Sequence, residues 1–271
     1  MRKFTAAILA AVLAITLTGC RSRKYGLEKY DFGEMTMEFP QLQTPKPGDT
    51  IAIIDTDMGE IRVKLFPEYA PNTVEKFVNL AKEGKYDNIP IPTVYPDTLF
   101  LTAGYSLGDG KFTGLESESE LIENELSAEI WPFRGALMSY SEVEGKSDAR
   151  WFMCNVDREN LTKSAIDELK GNSWKFSEEE TQNKVNTLLD KFYEYGGVFG
   201  FAGQATVFGQ TYKGFDVVEK LTNIPADSET GLVTEIHHIK SVKISEFKSG
   251  DEVEDFPPYV HEESENNSST Q

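Results

Sequence analysis

The 271-residue chain has only two cysteines, Cys20 and Cys154, and three histidines. It contains no CxxC, no HExxH and no spaced His/Cys ligand set. Structural zinc modules, thiol redox centres and a disulfide framework are thereby excluded. His237 and His238 are adjacent in a strand-like run and point to opposite faces, so they do not make a ligand pair. Positive charge is also scarce: 27 Lys and Arg stand against 45 Asp and Glu, a formal charge of −18. Such a surface repels phosphate backbones, which excludes nucleic acid as a partner. No metal, nucleotide or redox cofactor is expected. The chain is nevertheless built to fold. Hydrophobic residues make up 39% and aromatic residues 11%, too much for wholesale disorder.

The longest apolar run lies at the start. Arg2 and Lys3 precede an Ala/Leu/Ile/Val stretch that ends in Leu17-Thr18-Gly19-Cys20. The stretch is short for a membrane span and fits an export signal. Its ending resembles a bacterial lipobox, in which cleavage leaves Cys20 as a lipid-modified N-terminus. An ordinary secretory peptide with an incidental cysteine is the alternative. The lipobox implies an extracytoplasmic, membrane-anchored lipoprotein. With Cys20 lipidated, Cys154 has no partner for an intramolecular disulfide. Its setting, Trp-Phe-Met-Cys, predicts a buried structural thiol.

Residues 21–48 carry scattered charges and Pro40, Pro45 and Pro47 without periodicity, which reads as a membrane-proximal spacer. Residues 49–248 form the folded domain. Residues 249–271, rich in Asp, Glu, Ser and Asn, read as a disordered acidic tail. Within the domain, strands are predicted at Thr50-IAIIDT, IRVKLF, IPTVY, LFLTA, GALMSY, RWFMCNV, GVFGFA, TVFG and IHHIKSVKIS. Pro71 opens a helix with Val74, Phe77, Val78 and Ala81 on one face, ended by Gly84. A second helix is predicted over 215–222. Between them, residues 157–195 are hydrophilic and helical. A short helix near 164–170 is followed by a longer one that Ser177-Glu-Glu-Glu180 caps, with Val185, Leu188, Leu189 and Phe192 on one face. This is an inserted helical hairpin, either a loop decoration or a lid or partner site. Many strands with few helices indicate a mainly β fold, an antiparallel barrel or sandwich.

Four local sequences, in order, resemble the cyclophilin family of peptidyl-prolyl isomerases. They are IDTDMGEIRVKLFPEYAPNTVEKFVNLAKEGKYDN, Arg134-Gly-Ala-Leu137 preceded by IENE, Thr206-Val-Phe-Gly209 followed by Gly214-Phe-Asp-Val-Val218, and the closing Ile239–Ile244 pattern. The resemblance implies an eight-stranded antiparallel β-barrel with two capping helices, here interrupted by the helical hairpin. It also implies a groove on the barrel's outer face that binds an extended X-Pro segment. The family's chemistry is rotation about a prolyl amide, whose barrier of about 18–20 kcal/mol reflects C–N double-bond character. A hydrophobic pocket holds the proline ring and an arginine donates toward the twisted amide.

The chain departs from that pattern at the arginine. Laid without gaps, the family's YDGxxFHRVxP falls on residues 86–96, which puts Thr93 where the arginine stands and Pro92 where the histidine stands. Leu99 then replaces the pocket methionine. A one-residue slip would instead put Thr102 at the family's glutamine. Ser-Gln-Phe-Phe-Ile becomes Ala149-Arg-Trp-Phe-Met153, so Phe152 keeps the pocket phenylalanine and Arg150 replaces glutamine. Phe201 takes the pocket leucine and Ala205 an aromatic or His position. Arg150 is the candidate substitute donor; alternatively it pairs with an acid. Tyr140, Trp131 and Trp151 are either groove aromatics or core, and Arg134 is read as structural. The expected function is an extracytoplasmic prolyl isomerase weakened by Thr93. The alternative is a non-catalytic, membrane-tethered module for proline-containing or extended segments of exported proteins. The chain is expected to be a monomer.

Overall fold

The computed structural model describes residues 26–102, 120–157, 161–172, 178–254, 256, 257 and 259. Strands β1 (Thr50–Thr56) and β2 (Gly59–Leu65) form a hairpin whose turn falls at Asp57 and Met58. Helix α1 (Pro71–Lys82) begins on proline, as predicted. Its N-cap, Ala70, offers no side-chain oxygen, and Glu125 supplies one from a distant loop. That carboxylate accepts from the backbone N–H groups of Asn72 at 3.1 Å and Thr73 at 2.9 Å. It satisfies orphan donors of the first turn and sits at the positive end of the helix dipole. There follow β3 (Ile89–Tyr95), β4 (Leu99–Leu101), β5 (Ile122–Glu123), β6 (Ala136–Ser139), β7 (Lys146–Ser147) and β8 (Trp151–Cys154). The insert is α2 (Lys163–Asn172) and α3 (Glu179–Tyr195). It leads to β9 (Val207–Lys213), α4 (Phe215–Thr222) and β10 (Leu232–Glu246).

Eight strands close into an antiparallel barrel in the order β1-β10-β3-β4-β8-β6-β9-β2, and β5 pairs with β7 as a separate ribbon. Period-two alternation sorts their side chains. Ile54, Ile61, Val63, Val94, Phe100, Leu137, Trp151 and Met153 fill one cluster, with Phe77 of α1 and Leu221 of α4 packed into it. Leu99, Leu101, Met138, Phe152 and Val207 belong to a different cluster on the outer face. The expected barrel with two capping helices and a helical insert is therefore what the chain forms.

Three expectations on the surroundings need correction. GVFGFA is not a strand; Phe199–Phe201 is a 3-10 turn, closed by Phe201 N–H to Val198 O at 2.9 Å and Ala202 N–H to Phe199 O at 3.0 Å. Residues 26–48 do not stand off as a spacer. Leu27, Phe32, Met35 and Phe39 are buried in a cluster with Trp131, Phe133 and the α3 residues Val185, Leu188, Leu189 and Phe192. Gln41 pins this strap. Its Nε2 donates to Trp131 O at 2.8 Å, and its Oε1 accepts from Trp131 N–H. Four large apolar side chains outweigh the scattered charges that suggested a solvated spacer. The tail also docks in part: Phe256 packs edge-on against Phe215 and Tyr195, and Pro257 O accepts from Arg134. Residues 260–271, like Ser177 of the expected cap, lie outside the described residues; α3 begins after Glu178, which makes no side-chain cap bond.

Removing Gln41 strands two buried backbone groups of Trp131. Gln41→Ala should destabilise the domain by about 1–3 kcal/mol in urea unfolding. A chain started at residue 49 should bind a hydrophobic dye strongly; an unchanged midpoint and no dye binding would restore the spacer reading.

Candidate functional site

The site is built from consecutive antiparallel pairings. Thr93 lies opposite Leu101, Leu101 opposite Phe152, and Phe152 opposite Met138. Directly opposed residues share a face, so these four form one row across the outside of β3, β4, β8 and β6. Leu99, two residues from Leu101, joins the same face. Thr102 is fully buried and donates its hydroxyl to Trp151 O at 2.6 Å. It offers nothing to a ligand.

Above this row lies a cleft of about 370 Å³ with Leu99, Leu101, Phe152 and Phe201 at its base. The Phe152 and Phe201 rings meet edge-on, 5.4 Å apart. One stretch of its wall is Tyr140 and the loop from Ser141 to Lys146; a second is Gln204 and Ala205, with Lys29 reaching in from the strap. Asn124 and Glu125 brace the second wall. Asn124 Nδ2 donates to Gln204 O at 2.9 Å, and Glu125 N–H donates to the Thr206 hydroxyl at 2.8 Å. Strap residues brace it from the other end. Lys29 Nζ donates to Gly203 O and Gly203 N–H donates to the Tyr30 hydroxyl, both at 2.8 Å. Gly203 has φ +73°, and a Cβ there would sit 2.7 Å from Gly26 O, so the close approach of strap and wall requires glycine.

Of the residues singled out in the sequence, Leu99, Phe152, Phe201 and Tyr140 come together around the cleft. Thr93 heads the outer row but does not line the cleft; its methyl lies beside Gly231. Trp151 is a correction. It is 1% exposed and points into the barrel against Phe77 and Phe100, because it alternates with outward Phe152. Trp131 likewise lies under the strap, stacked on Phe32. Cys20 lies outside the described residues. Cys154 is buried, its thiol 3.1 Å from Phe133 O, and burial pushes its pKa up to about 12. That matches an inert structural thiol.

Arg150 does not reach the cleft. Its Nε lies 3.1 and 3.0 Å from the two Asp148 oxygens, and its Nη2 lies 2.5 Å from Oδ2. Nη1 reaches Glu142 at 3.3 Å, and the guanidinium stacks over the Tyr140 ring at 4.7 Å. Both partners of the main pair are buried, with side chains 5% and 3% exposed. Burial opposes the charge on Arg150, but the hydrogen bonds and charge of Asp148 more than offset it, so the net shift is upward. The guanidinium is thus a buttress under the Tyr140 wall. Burial also raises the Tyr140 phenol above its ordinary range. The sequence comparison missed Leu101, Lys29 and the 141–146 loop. Alternation from Leu99 could have found Leu101; Lys29 left no signal, being remote in the chain.

Breaking a buried pair leaves an uncompensated charge. Arg150→Ala should therefore lower unfolding stability by about 3–5 kcal/mol, and replacing Asp148 and Arg150 together by apolar residues should recover part of it. Equal losses in the single and double variants would refute the pairing as the cause.

The fold agrees with comparisons to known proteins. Residues 51–244 match the family model for cyclophilin type peptidyl-prolyl cis-trans isomerases/CLD. A Staphylococcus saprophyticus protein named for peptidyl-prolyl cis-trans isomerase is 31% identical over 189 residues, covering 68% of this chain and 87% of its own length. A Streptococcus pyogenes protein named for both phosphatase and peptidyl-prolyl isomerase is 30% identical, but the match takes in only 36% of its length. A solved Cryptosporidium parvum cyclophilin type isomerase superposes with a TM-score of 0.50 at 17% identity, over 73% of this chain and 97% of its own. With a family match over most of the domain and an outer-face cleft on a closed barrel, the chain belongs to the cyclophilin type peptidyl-prolyl cis-trans isomerase family.

Proposed function

We propose that the cleft holds the proline ring of an extended X-Pro segment, and that the chain turns such bonds over slowly. The observation that carries this reading is the outer row itself. Its apolar residues Leu101 and Phe152 lie beneath the cleft, while Thr93 stands at its head with no guanidinium to donate. Prolyl rotation needs neither nucleophile nor base. The planar amide owes its barrier to a dipolar resonance form, and an apolar seat favours the less dipolar twisted amide. That leaves some acceleration without an arginine. The missing donor is the larger part: a preorganised donor aimed at a transition state contributes about 2.7–4 kcal/mol.

The second reading, a module that binds without turnover, draws on the same vacancy. We also propose that Cys20 carries lipid and tethers the domain to a membrane on its extracytoplasmic side, where exported proteins supply X-Pro segments. The basic start, apolar run and Leu-Thr-Gly-Cys ending support it.

The test is an exchange measurement in which both isomers of an X-Pro peptide are observed, on the soluble chain from residue 21. Wild type should exchange the isomers slowly but above the uncatalysed rate. Thr93→Arg should raise that rate by roughly 10²–10³, since strand neighbours lie about 4.8 Å apart and an arginine at 93 can extend over Leu101 toward Phe152. Phe152→Ala should weaken peptide binding. Peptide shifts without exchange in wild type would select the binding module; no shifts in any variant would sink both readings. In cells, Cys20→Ser should move the protein from the membrane to the soluble fraction, and continued membrane retention would count against the lipid.

A further inference from the structure

The two stretches of cleft wall are tied together by a segment that does not itself line the cleft. Ile122 and Glu123 pair with Ser147 and Lys146 in the β5–β7 ribbon, and Glu123 also forms an ion pair with Lys146. Glu125 bonds to the other stretch: its N–H donates to the Thr206 hydroxyl at 2.8 Å, while its carboxylate caps α1. Asn124, between them, bonds to both. Its backbone N–H donates to Gly145 O at 2.8 Å, and its side-chain Nδ2 donates to Gln204 O at 2.9 Å. The Asn124 Oδ1 is buried and has no hydrogen-bond partner among the described residues. The side-chain amide is therefore used on one side alone, for the donation to Gln204 O.

The same two stretches meet at a second point. Ser139 N–H donates to Thr206 O at 2.9 Å, and Thr206 N–H donates to the Ser139 hydroxyl at 3.2 Å, where β6 meets β9. Among the described residues, no hydrogen bond joins 140–145 directly to 200–205. The strap bonds at Gly203 hold that stretch to Lys29 and Tyr30, not to the 140–145 loop. The contacts close a circuit: Ser139 through Tyr140 to Gly145, across Asn124 to Gln204, and through Ala205 and Thr206 back to Ser139. All of these but Asn124 and Thr206 line the cleft. The Ser139–Thr206 tie belongs to the barrel. The Asn124 tie does not, and one side-chain hydrogen bond completes it.

We propose that Asn124 is a positioning residue that fixes the width of the cleft and so confines it to a five-membered ring. The inference rests on the X-Pro reading above and adds to it the limit on ring size. A closed circuit of bonded segments has a fixed length, so 140–145 and 204–205 do not separate to admit a larger ring. With the bond at Gln204 lost, the stretches stay joined at Ser139 and Thr206, and the exposed residues 142–145 are free to yield.

The experiment titrates the soluble chain from residue 21 with two end-capped peptides. One is Ala-Ala-Pro-Ala-Ala, and the other carries piperidine-2-carboxylic acid, a ring larger by one methylene, in place of the proline. Wild type should bind the proline peptide more tightly by about tenfold or more, the discrimination a fixed apolar pocket makes against one methylene. Asn124→Asp keeps the size of the side chain but sets a carboxylate, which accepts and does not donate, against Gln204 O. It should bring the two affinities within about threefold of each other, and Asn124→Ala should do the same. A merely structural role would weaken both peptides alike and leave their ratio unchanged. An unchanged ratio in the folded variants, or no preference for proline in wild type, would overturn the role of Asn124 and leave the X-Pro reading standing. Unfolding of both variants would also overturn it, since loss of a tie at the rim leaves the barrel core untouched. Failure of wild type to bind either peptide would overturn both readings together.

Discussion

Closure of the barrel is the constraint from which the rest follows. A closed sheet leaves no edge, and each strand must send alternate side chains inward and outward. Inward positions fill with Trp151, Phe100 and Met153, whose volume sets the interior. Outward positions on β4, β8 and β6 are just as apolar, because Leu99, Leu101, Phe152 and Met138 stand there. An apolar outer face needs a cover. The chain provides part of one from residues that are not strands, among them Ile130, Val198 and Phe201. The cleft is the part of that face which the cover leaves open. Its position is thus a consequence of packing as much as of any residue dedicated to a ligand.

Alternation also explains why Arg150 lies on the correct side and yet contributes no donor. With Trp151 inward and Phe152 outward, Arg150 belongs to the outer set at the start of β8. Asp148, two residues earlier, captures it. The competition is decided by magnitude. Releasing the guanidinium toward a ligand would leave Asp148 buried and unpaired, at a cost of about 3–5 kcal/mol. A donor to a twisted amide returns about 2.7–4 kcal/mol, and only in the transition state. One side chain cannot supply both. The acid that the sequence comparison allowed as a bland alternative is the stronger partner.

The barrel, α1, α4 and the insert were legible because each rests on local signals: Pro71 at a helix start, period-two strands, and the Val185-Leu188-Leu189-Phe192 stripe. The cleft floor was legible through motif order, and Leu101 by the same alternation. Other features depend on contacts across the chain and left no local trace. Leu27, Phe32, Met35 and Phe39 have no common period, so nothing in 21–48 announced a packed strap; their burial is set by Trp131 and α3. RWFMCNV is apolar on both faces, which hides whether Trp151 or Phe152 faces out until register is known. GVFGFA reads as a strand by composition, but its glycines suit a turn, and Gly197 bridges to Phe133 instead of joining the barrel. Asp148 and Arg150 stand two apart, a spacing that in an extended strand would also put both on one face, yet it gave no indication of how deeply the pair is buried.

The strap changes what the cleft is. Both backbone polar groups of Gly203 are satisfied by consecutive strap residues, the N–H by the Tyr30 hydroxyl and the carbonyl by Lys29. Burial raises the Tyr30 phenol to about 12, so it remains a neutral hydrogen-bonding group across the physiological range. At the far end of the same wall, Thr206 is held by Glu125, whose carboxylate simultaneously caps α1. The segment 203–206 is thus clamped at each end by segments remote in sequence. Phe201, just before it, meets Phe152 on the floor, and Ala205 lies within it. A small wall residue at 205 opens the cleft toward Lys29, where a bulkier side chain would fill it. Thr93 heads the outer row on β3, while Lys29 reaches the cleft from the strap, a segment that the barrel itself does not encode.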